Sequence, residues 1–563
     1  MKNIKITSLI TLSLFATINL YAVEIPNIGD VLKEVTPPKI EKEKKVLPPL
    51  QSEDEEYKKV FEDGKKVYVK SFLIHNAIHM PNKELKTIVK PYEKKELSFK
   101  DIQDIINMIT LKYRQKGYFV ARAYLPVQDL QKQESVLKIS VIEGEYSEFK
   151  LNNSSLVKDS ILQENLDEIK NIDQGVISTK SLQRGLLIIN DTPGVSISST
   201  QIKPGKEVGT SDFIIGTSAT NRYDGYLLAD NYGSEYTGEH RVMAGVNINS
   251  PFNIGDKISL SALSSQNAGL LNGSLAYGFP ILSNGLRGEV SFSKTTYELG
   301  STYKELDALG SSNSIIAKLS YPLIRSNDQN LETYFKTSYN KMEDKINSTS
   351  TTLGKDTIVA VVGVDYSKES IIFNKYLQSN INFYLTTGRL SFDTKEDKQN
   401  DEDGANTNGN FSKVNLEIAE NININEYFRW ENSLQLQYAL GNKNLDGSQD
   451  LSIGGINGVK LYPQGEQSAE NGYVFNTELF YTLPQIKNLN SKISIFYDIA
   501  KVKMSKNITN EENSTYQDAG IGYYAYYKDF FINSHLAYKV GNSEINSEDD
   551  YNSKFMFQAG WVF

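Results

Sequence analysis

The chain has no cysteine in its 563 residues, so a disulfide framework, a thiolate metal site and a cysteine nucleophile are all excluded. Burial or hydrogen-bonded closure must hold it together. Beyond residue 22 it has no run of about 18 apolar residues, which excludes a membrane-spanning helix. The other structure that satisfies every backbone group in lipid is a closed β-barrel. The net charge is -9 and the basic residues form no single stripe, so nucleic acid is not an expected partner. Histidine is scarce, with four in all. His75 and His79 in "HNAIH" have the spacing of a helical zinc pair, but Asn76 stands where a metalloprotease needs glutamate, and Pro81 follows. They read as an incidental exposed pair. There is no GxxxxGK[ST] loop, "GGINGVK" lacks a strand-to-helix context, and no two carboxylates stand out as acid and base. No enzyme activity, metal or cofactor is expected.

What is present falls into blocks. Residues 1–22 have the layout of a cleaved secretory signal, with Lys2 and Lys5 before an apolar run and Ala22 at the end. The competing reading is an anchor helix, but Ser8, Thr11, Ser13, Thr17 and Asn19 interrupt the run. Residues 23–57 contain one short helical pattern, with Ile28, Val31, Leu32 and Val35 on one face and Pro37 and Pro38 as the stop. A charged linker follows, and the composition of this block fits a disordered leader as well as a docked helix.

Two α+β units come next, over 66–144 and 145–211, each ordered strand, helix, helix, strand, strand. In the first, Ser98 can cap a helix whose inner face is Ile102, Ile105, Ile106, Ile109 and Tyr113, and Gly117 ends it.

From 212 to 563 the helical period gives way to alternation at period two. In "KVNLEIAE", Val414, Leu416 and Ile418 alternate with Lys413, Asn415 and Glu417. A soluble sandwich would show the same alternation. The strands are nonetheless about 10 residues long, as tilted transmembrane strands require. Tyr and Phe recur at strand ends, as in "GYYAYYKDFF", and the chain closes on Phe555, Phe557, Trp561 and Phe563. About 16 strands fit, and a barrel that wide leaves a lumen.

"RAYLPVQDL" (Arg122 to Leu130) followed by "VIEGEY" resembles the end of the first POTRA domain of two-partner secretion (TpsB) transporters, outer-membrane proteins that export haemolysins and adhesins. "LLIINDTPGV" resembles the second such domain, and "DNYGSEYTGEHR" with "SPFNIGDKISL" the first two barrel hairpins. The resemblance implies a membrane β-barrel of about 16 antiparallel strands, preceded by two POTRA domains and an N-terminal plug helix made by Ile28, Val31, Leu32 and Val35. It implies an inward-folding loop at 441–471, where Val459, Lys460, Leu461 and Tyr462 stand in place of a Val-Arg-Gly-Tyr signature. "FYDIA" matches a Phe-aromatic-Asp-x-Gly wall motif, with Ala500 in place of glycine, and supplies Asp498 as the partner of Lys460.

In a wet lumen such a pair is worth on the order of 1 kcal/mol, rising to about 4 at lower effective dielectric. The other reading is two unrelated charges on a solvated wall. Leu461 removes a residue that tolerates positive φ, so a different turn is expected at the loop tip. In "YFVARAYL", Arg122 and Tyr124 would offer a cargo-binding edge, with Phe119, Ala121, Ala123 and Leu125 as core; a purely structural domain is the alternative. The implied partners are an unfolded secreted exoprotein, outer-membrane lipid and the barrel-assembly machinery, for a monomer with its POTRA domains in the periplasm of a Gram-negative cell. An insertase of the same superfamily and a diffusion porin are the alternative functions.

Overall fold

A computed structural model describes residues 25–35, 47–52, 66–130, 132–503, 505 and 514–563. The signal expected at 1–22 and most of the linker lie outside these residues. The first element is α1 (Ile28–Glu34), started by a reciprocal capping box between Asn27 and Asp30. Ile28 and Val31 are fully buried, and Leu32 and Val35 pack with them against Leu228, Met243 and Leu263 of the barrel. β1 (Leu50–Ser52) follows on the far side of residues 36–46.

The first α+β unit comprises β2 (Val67–Val69), β3 (Ser71–His75), α2 (Asn82–Val89), β4 (Lys95–Leu97), α3 (Phe99–Gln115), β5 (Arg122–Tyr124) and β6 (Val136–Ile142). α3 starts at a capping box formed by Ser98 and Asp101 and buries Ile102, Ile105, Ile106, Ile109 and Tyr113. The sheet order is β3-β6-β5. The strand expected over Tyr118–Leu125 is shorter than the alternation suggested. Ala121 N–H donates to Tyr118 O at 3.1 Å in a turn, and Phe119 and Val120 leave the first core to pack on the second. His79 departs from the expected exposed pair too: its Nδ1 lies 2.7 Å from Glu143 Oε2, outside any helix. Glu143 also accepts from the N–H groups of Ile78 and His79, both at 2.8 Å, and from Tyr113 Oη at 2.9 Å. Burial and that bond to Glu143 push the Tyr113 phenol well up, so it remains a donor.

The second unit has β7 (Glu145–Ser154), α4 (Asp159–Ile169), α5 (Thr179–Asp191), β8 (Ser196–Pro204) and β9 (Thr210–Ser218), in the sheet order β1-β8-β9-β7. β9 is the strand that moves the expected boundary at 211. It is central in this sheet, with Phe213 and Ile215 fully buried, so the unit runs to Ser218 and the barrel starts at Tyr223.

Sixteen strands close the barrel: β10 (Tyr223–Asp230), β11 (Arg241–Asn249), β12 (Lys257–Ser265), β13 (Leu270–Pro280), β14 (Arg287–Glu298), β15 (Ala308–Arg325), β16 (Gln329–Ile346), β17 (Thr351–Ile372), β18 (Lys375–Phe392), then past α6 (Lys395–Asp403) β19 (Gly409–Asn423) and β20 (Phe428–Ala439), and, after the short inner pair β21 (Leu451–Ser452) and β22 (Ser468–Ala469), β23 (Asn471–Thr482), β24 (Leu489–Lys503), β25 (Ser514–Tyr527), β26 (Phe530–Lys539) and β27 (Ser553–Val562). Every neighbouring pair is antiparallel. β10 closes on β27, and Gly225 and Phe563 exchange backbone bonds of 2.9 and 3.0 Å at the seam. The alternation sorts the wall into two faces: Phe555, Phe557 and Trp561 stay exposed outside, while Lys413 and Asn415 are buried inside.

The second unit docks on the near-end turns of the barrel. Arg325 forks onto Asp191 at 2.6 and 2.9 Å, Asn165 Nδ2 donates to Ser283 O at 2.6 Å, and Arg184 reaches Asn284 O and Tyr321 Oη. Within that unit α4 and α5 meet at Gly185, where an added Cβ would lie 2.2 Å from Ile169 Cγ1. Gly185→Ala is expected to destabilise the second unit by about 1–3 kcal/mol through overpacking. Urea unfolding of the full chain should show its first transition at lower denaturant, with the heat-resistant gel mobility of the barrel unchanged.

Candidate functional site

The loop between β20 and β23 folds into the barrel instead of leaving it. Its inward path depends on close backbone contacts: a Cβ on Gly454 would sit 1.9 Å from Pro463 O, and one on Gly458 2.0 Å from Ile453 O. Wall amides hold the descending segment, with Asn476 Nδ2 donating to Gly458 O at 2.6 Å and Gln435 Nε2 to Asn457 O at 3.1 Å.

At the tip, Lys460 Nζ donates to Asp498 Oδ2 at 2.9 Å and lies 4.2 Å from the centroid of the Phe496 ring. Asp498 Oδ1 accepts from Asn476 Nδ2 at 2.8 Å. Asp518 faces Asp498 across the β24–β25 ladder and accepts the Leu461 N–H at 2.6 Å. Val459, Leu461 and Tyr462 are fully buried, and Tyr462 stands edge-on to Tyr516 with its hydroxyl on Ser543 O at 3.0 Å.

Two expectations need correction here. The tip is buried, with Lys460 only 6 % and Asp498 0 % exposed, so the Coulomb arithmetic for a solvated lumen does not apply: a stronger attraction is offset by desolvation, and the cost falls on removing one partner alone. Leu461 has no left-handed backbone; the positive-φ glycines of this loop are Gly441, Gly455 and Gly465.

The upper part of the loop is clasped from above. Glu466 accepts from Asn546 N at 2.6 Å, Ser547 N at 3.0 Å and Ser547 Oγ at 2.6 Å, all on the last far-end loop.

α1 is the second obstruction. Its Ile28 N–H meets Asp344 Oδ1 at 2.9 Å on one side of the barrel. On the other side the buried Glu34 carboxylate accepts from Ser234 Oγ at 3.0 Å and Thr237 Oγ1 at 2.8 Å. Arg241 donates to Glu34 O at 2.8 Å while pairing with Asp230 at 2.8 and 3.2 Å. Helix and loop also touch each other. Gln464 Nε2 donates to Lys33 O at 2.5 Å, and Gly29 packs so closely on the loop that a Cβ would lie 2.6 Å from Ser448 N. What remains of the lumen is a cavity of about 1150 Å³ bordered by charged and amide side chains, Glu332, Asp365, Lys413 and Glu417 among them.

Outside the barrel, Arg122 and Tyr124 are exposed as expected, but their strand is a poor edge. The outward N–H of its central residue, Ala123, is already taken by Thr110 Oγ1 at 3.0 Å. The edge of β8 is occupied by β1, paired in parallel from Leu50 with Thr200 to Ser52 with Ile202. The sequence reading did not single out Glu34, Arg241, Asp230, Gln464 or Asp518. For Asp518 the signal was its inward parity beside Asp498. Arg241 and Asp230 lay inside a stretch used only for its resemblance.

A model of the haemolysin secretion/activation protein family ShlB/FhaC/HecB matches residues 209–525, and one of the ShlB-type POTRA domain matches 68–144. The chain is 27% identical to the heme/hemopexin transporter protein HuxB of Haemophilus influenzae over 508 residues, 89% of this chain and 88% of that one. Among solved structures, CdiB from Escherichia coli aligns with a TM-score of 0.74 at 17% identity, over 89% of this chain and 91% of that one. BamA from Haemophilus ducreyi lacking POTRA domains 1-3 aligns at 0.50 and 15% identity, over 88% and 100%.

Removing one member of a buried ion pair costs roughly 3–5 kcal/mol because the other is left uncompensated. Lys460→Ala is therefore expected to release the loop tip, read as faster limited proteolysis between β20 and β23 and a higher conductance in planar bilayers. The double exchange Lys460→Asp with Asp498→Lys should recover part of what either single change loses; no recovery would mean that the contact does not hold the loop.

Proposed function

The chain belongs to the haemolysin secretion/activation protein family ShlB/FhaC/HecB, and from that premise we propose how its parts divide the work of export. It is an outer-membrane transporter that passes a partner exoprotein out of the cell by two-partner secretion, with its POTRA region in the periplasm. The observation that carries the division of labour is the double obstruction of the lumen by α1 and the inward loop, both held by side-chain bonds.

In this reading Val459, Lys460 and Tyr462 with Asp498 form the latch of the loop, and Ile28, Val31, Leu32 and Val35 form the apolar face of the plug. The plug leaves toward the periplasm, for which residues 36–46 supply up to about 40 Å of chain. The cargo, unfolded in the periplasm, is captured as an extended segment by main-chain bonds at a sheet edge. The β5 edge with Arg122 and Tyr124 offers side chains but little free backbone. The β8 edge becomes available only when β1 departs, so the linker and the cargo compete for it. Departure of the plug and vacating of β8 then share one tether. No nucleotide loop exists in the sequence, and the driving free energy comes from folding of the cargo outside the cell.

The long, high-coverage match to a heme/hemopexin transporter supports an exoprotein of that kind as cargo, ahead of a haemolysin or an adhesin. The same reading has the protein working as a monomer in outer-membrane lipid after insertion by the barrel-assembly machinery. The insertase alternative draws only on the weaker BamA likeness.

Deleting 67–144 is expected to strand the partner in the periplasm while other barrel proteins assemble normally. General loss of barrel proteins would instead indicate an insertase. Gln51→Pro removes an N–H donor from β1 and should strengthen binding of an unfolded partner fragment to the full chain severalfold by fluorescence anisotropy. Unchanged affinity would remove β1 from the competition.

A further inference from the structure

The outward face of the barrel carries three cations that none of the roles above uses. On β14 the outward residues rise through Val290 and Phe292 to Lys294, on β16 through Phe335 and Tyr339 to Lys341, and on β18 through Phe383 and Leu385 to Arg389. Each cation stands above a largely apolar run, broken by Thr337 on β16 and Thr387 on β18, toward the barrel end opposite the POTRA region. All three are exposed, and among the described residues none has a side-chain hydrogen bond or ion-pair partner.

The ladder brings them together. Lys294 pairs in register with Asn313, which pairs with Lys341. Lys341 pairs with Asp356, and Arg389 pairs with Ile358 one outward step below it. With strands about 4.8 Å apart, neighbouring cations lie about 10 Å from each other across the face. Asp356 is the one carboxylate in this row, which is net positive, and Glu298 and Asp393 stand higher on the same outward face. Glu343, one step higher, is answered by Lys345 at 2.7 Å. Beside Lys294, Gly273 leaves a dimple in the wall, with nothing within 4 Å of a Cβ built there. Elsewhere on the same rim the corresponding outward positions are Val242, Leu271, Tyr438, Tyr538 and Phe555, so the charge is confined to one face apart from Lys501 and Lys503 on β24.

We propose that this rim of the β14–β18 face binds the phosphate groups of a phosphorylated glycolipid of the external leaflet, through Lys294, Lys341 and Arg389. Cations at the top of a lipid-facing wall meet only the headgroup layer, and three unpaired charges spaced about 10 Å apart match an anion with separated phosphates better than a single phosphodiester. Arg389 offers a fork for one phosphate and the two lysines supply point charges for the other. The acyl chains would lie on the apolar runs below.

The full-length protein in detergent micelles can be titrated with diphosphoryl lipid A, its dephosphorylated form and phosphatidylglycerol, with occupancy read by native mass spectrometry. Diphosphoryl lipid A is expected to bind best, and the variant K294Q/K341Q/R389Q to bind it roughly a hundredfold more weakly. The control K501Q/K503Q should lose little. Lys341→Gln alone, which changes one exposed side chain, should show an intermediate loss if the triple variant does not fold. Unchanged affinity in K294Q/K341Q/R389Q and in Lys341→Gln, equal binding of the dephosphorylated form, or equal binding of phosphatidylglycerol would overturn the proposal.

Discussion

Hydrogen-bond closure in lipid is the constraint on which the rest of this structure depends. A backbone crossing a membrane must satisfy its own N–H and C=O groups, and where no helix among the described residues is long and apolar enough to cross, strands do so by joining the first to the last. Here β10 meets β27, and the terminal Phe563 takes part in the seam. Sixteen strands make the circumference too large for the wall's own side chains to fill. A lumen is thus a consequence of closure, and a leak would follow unless other parts of the chain blocked it. α1 and the inward loop occupy that space.

The manner of blocking is informative. A core of leucines would seal a lumen more stably, since a buried ion pair gains little over apolar packing once desolvation is counted. The chain instead uses Lys460 on Asp498 and Lys355 on Asp446 between loop and wall, and for α1 the wall's Arg241, which is paired with Asp230 and donates to Glu34 O, all buried. Such contacts are directional and costly to break singly, yet each group is readily rehydrated in a water-filled channel. Polar contacts therefore give a seal with one defined geometry that becomes compatible with water once it opens. The neighbouring carboxylates Asp498 and Asp518 fix the tip in two directions, the first taking the Lys460 ammonium and the second the backbone N–H of Leu461.

Much of this was legible in the sequence where a periodic pattern met a single environment. The face of α3, the strand alternation from β10 onward and the face of α1 follow from burying one side of a regular element. The partnership of Lys460 with Asp498 came from family likeness, because no local pattern joins residues 38 positions apart. Legibility failed where neighbouring units shared residues. Phe119 and Val120 continue the alternation of β5 but pack on the second unit, which shortens the strand. β9 was cut by a boundary drawn where helices stop, although its burial belongs to the sheet before the barrel. The solvation of the lumen could not be read either, since it depends on how completely α1 and the loop fill the space.

The contacts between the two obstructions bear on how they leave. Gln464 of the loop donates to Lys33 O at the end of α1, and Tyr236 of the β10–β11 loop donates to Gln464 O at 3.1 Å. Gly29 near the start of α1 rests on Ser448 of the loop. If α1 withdraws, the Gln464 amide loses an acceptor and the loop loses the surface on which residues 447 and 448 rest, so the free energy holding the loop falls. By linkage the converse holds, and displacement of the loop weakens the hold on α1 by the same amount. Two barriers coupled in this way open less often by chance than a single barrier of either strength, because the first to move does so against both sets of contacts. Once it has moved, the second follows against fewer. In the proposed export cycle, cooperative opening rests on one hydrogen bond and one close glycine contact, which keep the resting barrel shut and let a single event at the periplasmic end clear it.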